Sequence, residues 1–196
     1  DFLVKERIVK LITKLLLLAI AINLSGCAAA AIGAGAGSGV AVGTDSRGVG
    51  VVIDDQKLEH RVNSVLGAQV PAGSFTVASY NQQILLAGQV PTIADKGKAE
   101  LAVINTAGVK KVWNYLTVAK NESFSDITHD TYLTSAAKSR LIAQKQVNTN
   151  NIKVVTCAGV VYLLGNHAGD KVQVEGAIQG IRQINGVKQV VNLIHF

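Results

Sequence analysis

A chain of 196 residues has room for one ordinary domain or two small ones. A hydrophobic fraction of 48% with 5% aromatics and 19 glycines suits small cores of Val, Leu, Ile and Ala joined by flexible segments. The formal charge of +6 is mild and contains no long Lys/Arg block, so it gives no footing to a nucleic-acid surface and leaves room for attraction to anionic headgroups.

The first segment orders its residues by type. Lys5, Arg7, Lys10 and Lys14 make a basic region, Leu15 to Leu24 is apolar, and Leu24-Ser25-Gly26-Cys27 follows. Basic, apolar and small, in that order, is the pattern of a secretory signal. The apolar run covers about ten residues, where a spanning helix needs roughly 20. The Leu-Ser-Gly-Cys ending resembles the lipobox of bacterial lipoproteins. That likeness implies a signal peptide over 1–26, acylation of Cys27, and a place on the periplasmic face of the outer membrane, since Ala28 carries no inner-membrane retention signal. The alternative is an N-terminal membrane helix with a chance cysteine. Acylation of Cys27 leaves Cys157 no second cysteine for a disulfide. The apolar run Ile152 to Cys157 predicts a buried, inert thiol.

Residues 27–53 read as a lipidated tether rich in Gly and Ala. Gly35, Gly39 and Gly43 are also spaced to make the smooth face of a closely packed helix, and both readings stand. No Gly-x-Gly-x-x-Gly is present, and no Gly-Lys-Ser/Thr follows, so a phosphate-binding loop is excluded.

Asp54-Asp55 predicts a helix N-terminus, with Leu58, Val62, Val65 and Leu66 on one face. Pro71 and Gly73 end it. Phe75 to Tyr80 and Gln83 to Val90 read as strands about an Asn81-Gln82 turn. A second helix follows Pro91-Thr92 to about Thr106, and Val109 to Ala119 is a third strand. The order then recurs. Asp126 to Gln144 predicts a helix with Leu133, Ala137 and Leu141 on one face. Ile152 to Cys157 and Val160 to Gly165 are strands about Ala158-Gly159. Val174, Ala177, Ile178 and Ile181 share a helical face, and Val187 to His195 is the last strand.

Two motifs fix the repeat. Leu85-Leu86-Ala87-Gly88 corresponds to Tyr162-Leu163-Leu164-Gly165 at an offset of 77, and Gly108 corresponds to Gly186 at 78. The expected fold is α+β, with one module over 54–119 and another over 126–196. A domain of this size buries only about 60% of its unfolded surface, so the two modules are expected to lean on each other.

With the repeat established, the chain resembles dual BON-domain lipoproteins of the bacterial outer membrane. Four segments carry the likeness: Val51 to Ser64, Leu85 to Gln89, Asp130 to Thr134, and Gly186-Val187-Lys188. The resemblance implies two tandem modules, each helix–strand–strand–helix–strand, with two helices on one face of a three-stranded mixed sheet. It also implies a non-enzymatic protein that binds anionic phospholipid, phosphatidylglycerol above all, and supports envelope integrity. The lipid surface would centre on the first helix of the second module. The family pattern has Trp as the aromatic there, and this chain has Tyr132, an amphipathic ring suited to an interface. Ala136 lies beside it, and Lys138 and Arg140 follow as candidate phosphate contacts. The competing expectation packs Tyr132 between the modules.

No other chemistry is written in the chain. His60, His129, His167 and His195 are far apart, no Cys-x-x-Cys or His-x-x-x-His occurs, and no Gly-x-Ser-x-Gly elbow is present. No catalytic residue, metal or cofactor is expected. A second function class is a structural subunit of a large envelope assembly, such as a secretion-system outer-membrane core, in which the modules serve as docking surfaces for envelope proteins.

Overall fold

Residues 48–119 and 124–196, the part of the chain described by the computed structural model, fold as two modules of the same design. The expected signal peptide over 1–26, Cys27 and the Gly-rich stretch to Arg47 lie outside the described residues. In the first module α1 (Val49–Gln69) precedes the hairpin β1 (Ser74–Tyr80) and β2 (Gln83–Val90). Then come α2 (Ile93–Ile104) and β3 (Lys111–Val118). The second runs α3 (Phe124–Ile142), a short 3-10 turn over Thr149–Asn151, β4 (Ile152–Cys157), β5 (Val160–Asn166), α4 (Lys171–Arg182) and β6 (Gln189–His195). The sheet orders are β1-β2-β3 and β4-β5-β6, with the first pair antiparallel and the second parallel in each. Each module is thus a hairpin followed by a helical crossover, which is what a parallel pair needs.

Register bears out the repeat. Gly88 faces Phe75 on one side and Leu116 on the other, and Gly165 faces Ile152 and Ile194. Both glycines sit where the edge strand comes too near for a side chain. A Cβ on Gly88 would lie 2.0 Å from the Ser74 carbonyl oxygen, and one on Gly165 would lie 2.6 Å from that of Asn151.

The start of α1 differs from expectation. The helix begins at Val49, so Asp54-Asp55 is not its N-terminus. Asp55 lies inside the helix, 3% exposed, and serves the hairpin. Its carboxylate accepts from the Asn81 amide at 2.8 Å, the Gln82 amide at 2.9 Å and the Ser79 hydroxyl at 2.6 Å. Asn81 and Gln82 both have positive φ, 52° and 64°, the turn that matches strand twist. A side chain in that region costs about 1–2 kcal/mol, which the carboxylate offsets by holding both amides. The second module repeats the device. Asp130 accepts from Ala158 N at 2.6 Å and Gly159 N at 2.8 Å.

Among the described residues, three hydrophobic clusters form the core. On the helix side of the first sheet, Leu58, Val62 and Leu66 meet Ile84, Leu86, Val90, Ala99 and Val103. On the helix side of the second, Ala137 and Leu141 meet Val161, Leu163, Ile178 and Ile181. The third cluster joins the opposite sheet faces, Ala78, Tyr80, Leu85 and Ala87 against Cys157, Tyr162, Leu164 and Leu193. The layers therefore run helices, sheet, sheet, helices. The two central strands are buried on both faces, which is why they read as unbroken apolar runs rather than as alternation. Cys157 is buried in this seam, 4% exposed, and Tyr115 meets Tyr162 across it with ring centroids 5.2 Å apart.

Candidate functional site

Helix α3 is held from below, and that fixes what it presents outward. Leu133, Ala137 and Leu141 are buried. Asp130 is tied to the β4–β5 turn, and the Thr134 hydroxyl lies 2.8 Å from that of Thr156 on β4. The helix cannot roll without breaking these bonds. Tyr132 consequently points to solvent, 61% exposed, so the expectation that packs it between the modules is overturned. Its ring lies 6.2 Å from that of His129. The His129 imidazole itself covers Gly186, where a Cβ would come within 2.2 Å of Nε2. Ala136, one turn on, is half-buried beside the tyrosine's face.

The two basic residues are not brought together. At about 100° per residue, Arg140 lies about 80° from Tyr132 one way round the helix and Lys138 about 120° the other. Arg140 is exposed, and its side-chain stem crosses toward Gly180 of α4, with Cδ 3.7 Å from where a Cβ would stand. Lys138 is half-buried. Burial first, and then the charge of Lys153, push its ammonium below its ordinary pKa.

Lys153 escaped the sequence reading, although a lone lysine in an apolar strand was a signal. It pairs with Glu59 of α1 and lies 3.3 Å from the Ser79 carbonyl oxygen, so it links the modules beside α3. Among the described residues no group of three His, Cys, Asp or Glu side chains is placed to hold a metal, and no helix is long and apolar enough to cross a membrane.

The family model described as the BON domain matches the chain twice, over residues 54–120 and 129–196. The chain is 38% identical over 156 residues to Outer membrane lipoprotein DolP of Haemophilus influenzae, across 78% of this chain and 80% of that protein. It is 31% identical over 155 residues to the 21 kDa hemolysin of Actinobacillus pleuropneumoniae, across 78% and 79%. A solved structure, the C-terminal domain of CdsD, a structural protein of the type III secretion system of Chlamydia trachomatis, aligns at 17% identity. It covers 71% of this chain and 96% of that one, with a TM-score of 0.32.

Proposed function

The chain belongs to the BON-domain family, carrying two copies of the module, and from that premise we propose that it is an outer-membrane lipoprotein that binds anionic phospholipid through α3. Cys27 is the lipid anchor, and the modules face the periplasm. The protein acts by binding and not by catalysis. The name of its 38%-identical relative supports the location.

The observation that carries the lipid reading is Tyr132, an aromatic left 61% exposed at the centre of a helix whose opposite face is buried and bonded. An amphipathic ring gains by entering the headgroup layer. Lys138 and Arg140 stand on its two flanks, so phosphates on either side of an inserted ring have a cation to meet. Each such cation contributes about 1 kcal/mol near an anionic surface. The anchor keeps the protein at the membrane, and α3 supplies the preference for anionic lipid. Flotation of residues 48–196 with vesicles tests this. Binding should require phosphatidylglycerol and fall with Tyr132→Ala. Equal capture by neutral vesicles, or of the variant and the parent, would remove α3 as the lipid site.

A further inference from the structure

The second helix of each module occupies the same place in the repeat, yet the two helices present opposite surfaces. Ala99 and Val103 of α2 lie 78 residues before Ala177 and Ile181 of α4, and all four are buried. By that offset the α2 stripe Ile93, Gly97, Leu101 and Ile104 corresponds to Lys171, Glu175, Gln179 and Arg182. One copy of the fold keeps this stripe polar. The other leaves Ile93, Leu101 and Ile104 exposed at 80%, 62% and 51%.

The inner face is inverted too. Where α4 buries Val174 and Ile178, α2 carries Lys96 and Glu100. Lys96 donates to the Leu116 carbonyl at 2.6 Å, and Asn114 donates to Glu100 at 3.0 Å. At these positions the first module has polar side chains toward its sheet and aliphatic ones toward solvent, while Ala99 and Val103 stay in its core. The four stripe positions span about 80° of the helix, and an aligned set of exposed aliphatics marks a contact surface. Leu101 and Ala102 also line, with Val65 of α1, a groove of about 590 Å³ between the two helices. Its lining includes Arg61, which donates to the Ala107 carbonyl at 2.6 Å, and Lys98, and the nearest carboxylate to that lysine is Asp95 at 4.0 Å, outside the lining.

We propose that this face of α1 and α2 docks an amphipathic helix of a protein partner. The partner's apolar side chains lie on Leu101 and Ile104, and its carboxylates meet Arg61 and Lys98. Recognition of this kind uses anchors at helical spacing laid in an apolar groove. A bilayer is the poorer occupant, because the sheets pack against each other and the two helical layers face opposite ways. A membrane under Tyr132 lies on the far side from α2, an exclusion that rests on reading α3 as the lipid-facing helix. A second copy is poorer as well. A stable interface covers about 800 Å² per partner, more than three aliphatic side chains supply, and a two-fold contact would set the same cationic rim against itself.

The probe is a fluorescent synthetic helix with leucines on one face and glutamates flanking them, paired with a lysine counterpart. Each is titrated against the full chain in nanodiscs of neutral lipid, with empty discs subtracted. The glutamate helix should bind at least tenfold tighter than the lysine helix. Replacing the stripe by neutral polar side chains, Ile93→Gln with Leu101→Gln and Ile104→Gln, should lower that affinity at least tenfold. All three positions are exposed, and α4 keeps the matching stripe polar, so folding is expected to survive. Lys98→Glu should shrink the preference for the glutamate helix, and Tyr132→Ala should leave binding unchanged while lowering capture by phosphatidylglycerol vesicles, which separates the two sites. Equal binding of both helices, or no loss on the stripe replacement, overturns the proposal. So does a stripe replacement that lowers vesicle capture, which would mean a bilayer, or one that dissolves a dimer of the parent, which would mean a second copy.

Discussion

The ammonium of Lys153 on β4 is paired with the Glu59 carboxylate on α1, and the same carboxylate oxygen accepts the Ser79 amide at 2.6 Å. One residue of the first module thus neutralises a lysine of the second at the edge of the seam, where their side chains are 13% and 20% exposed. Glu59→Ala would leave that lysine desolvated beside Lys138. It should cost about 2 kcal/mol, in the range for an abandoned buried partner. Adding Lys153→Met should restore part of the loss. Urea unfolding of the two single variants and the double variant measures the coupling, and simple additivity would show that the pair does not act as a unit.

The Asp55 and Asp130 clamps predict a matched pair of defects. Asp55→Ala and Asp130→Ala each remove two bonds to turn amides and should each cost about 2 kcal/mol. Gln82→Gly relieves a positive φ of 64° and should raise stability by up to about 1 kcal/mol. A fall in the midpoint for Gln82→Gly would argue that the turn is not strained by its side chains.

Lys138 predicts a pH effect of definite sign. Burial and Lys153 lower its pKa in the folded protein, so the unfolded chain holds that proton more tightly. Between the folded and unfolded values the unfolded state binds more protons, and stability attributable to this group rises with pH. Below both values the penalty is present in full. Compared with Lys138→Met, the parent should gain stability as pH climbs from neutral toward the ordinary lysine range. A stability difference flat across that window counts against a depressed Lys138.

Salt separates the two parts of the proposed lipid contact. Arg140→Glu should weaken flotation with anionic vesicles strongly at low salt and little at high salt, since exposed charges are screened beyond about 10 Å at 0.1 M. Tyr132→Ala should weaken it by a similar factor at every salt concentration, because it removes apolar area. If the tyrosine variant proves the salt-sensitive one, the ring is not the wedge.

The anchor is tested in cells. Cys27→Ala should leave the protein out of the outer-membrane fraction or retain it uncleaved, and its normal recovery from outer membranes would show that the cysteine is not needed.

Period and spacing along the chain were enough to reveal the repeat and its strands. The 77- and 78-residue offsets announced two copies of one module, because Gly88 and Gly165 are places where backbone from the neighbouring strand excludes a side chain. The segments Gln83 to Val90 and Val160 to Gly165 were legible as strands, and their unbroken apolar runs follow from burial against helices on one face and the second sheet on the other. Tyr132 was singled out by the resemblance to the family and not by period or spacing.

Only the tertiary structure decided what faces what. Asp55 looked like a helix cap because an acidic pair before an apolar stripe has that meaning locally; its partners are more than twenty residues away, in a turn no local rule connects to it. Tyr132 could have been packed or exposed with the same helical period. The choice was made by Asp130 and Thr134, which lock the helix roll through bonds to the β4–β5 turn and β4. The pairing of Lys153 with Glu59 spans 94 residues and exists because the two sheets stack. Periodicity reports which side chains share a face, and only packing says what that face meets.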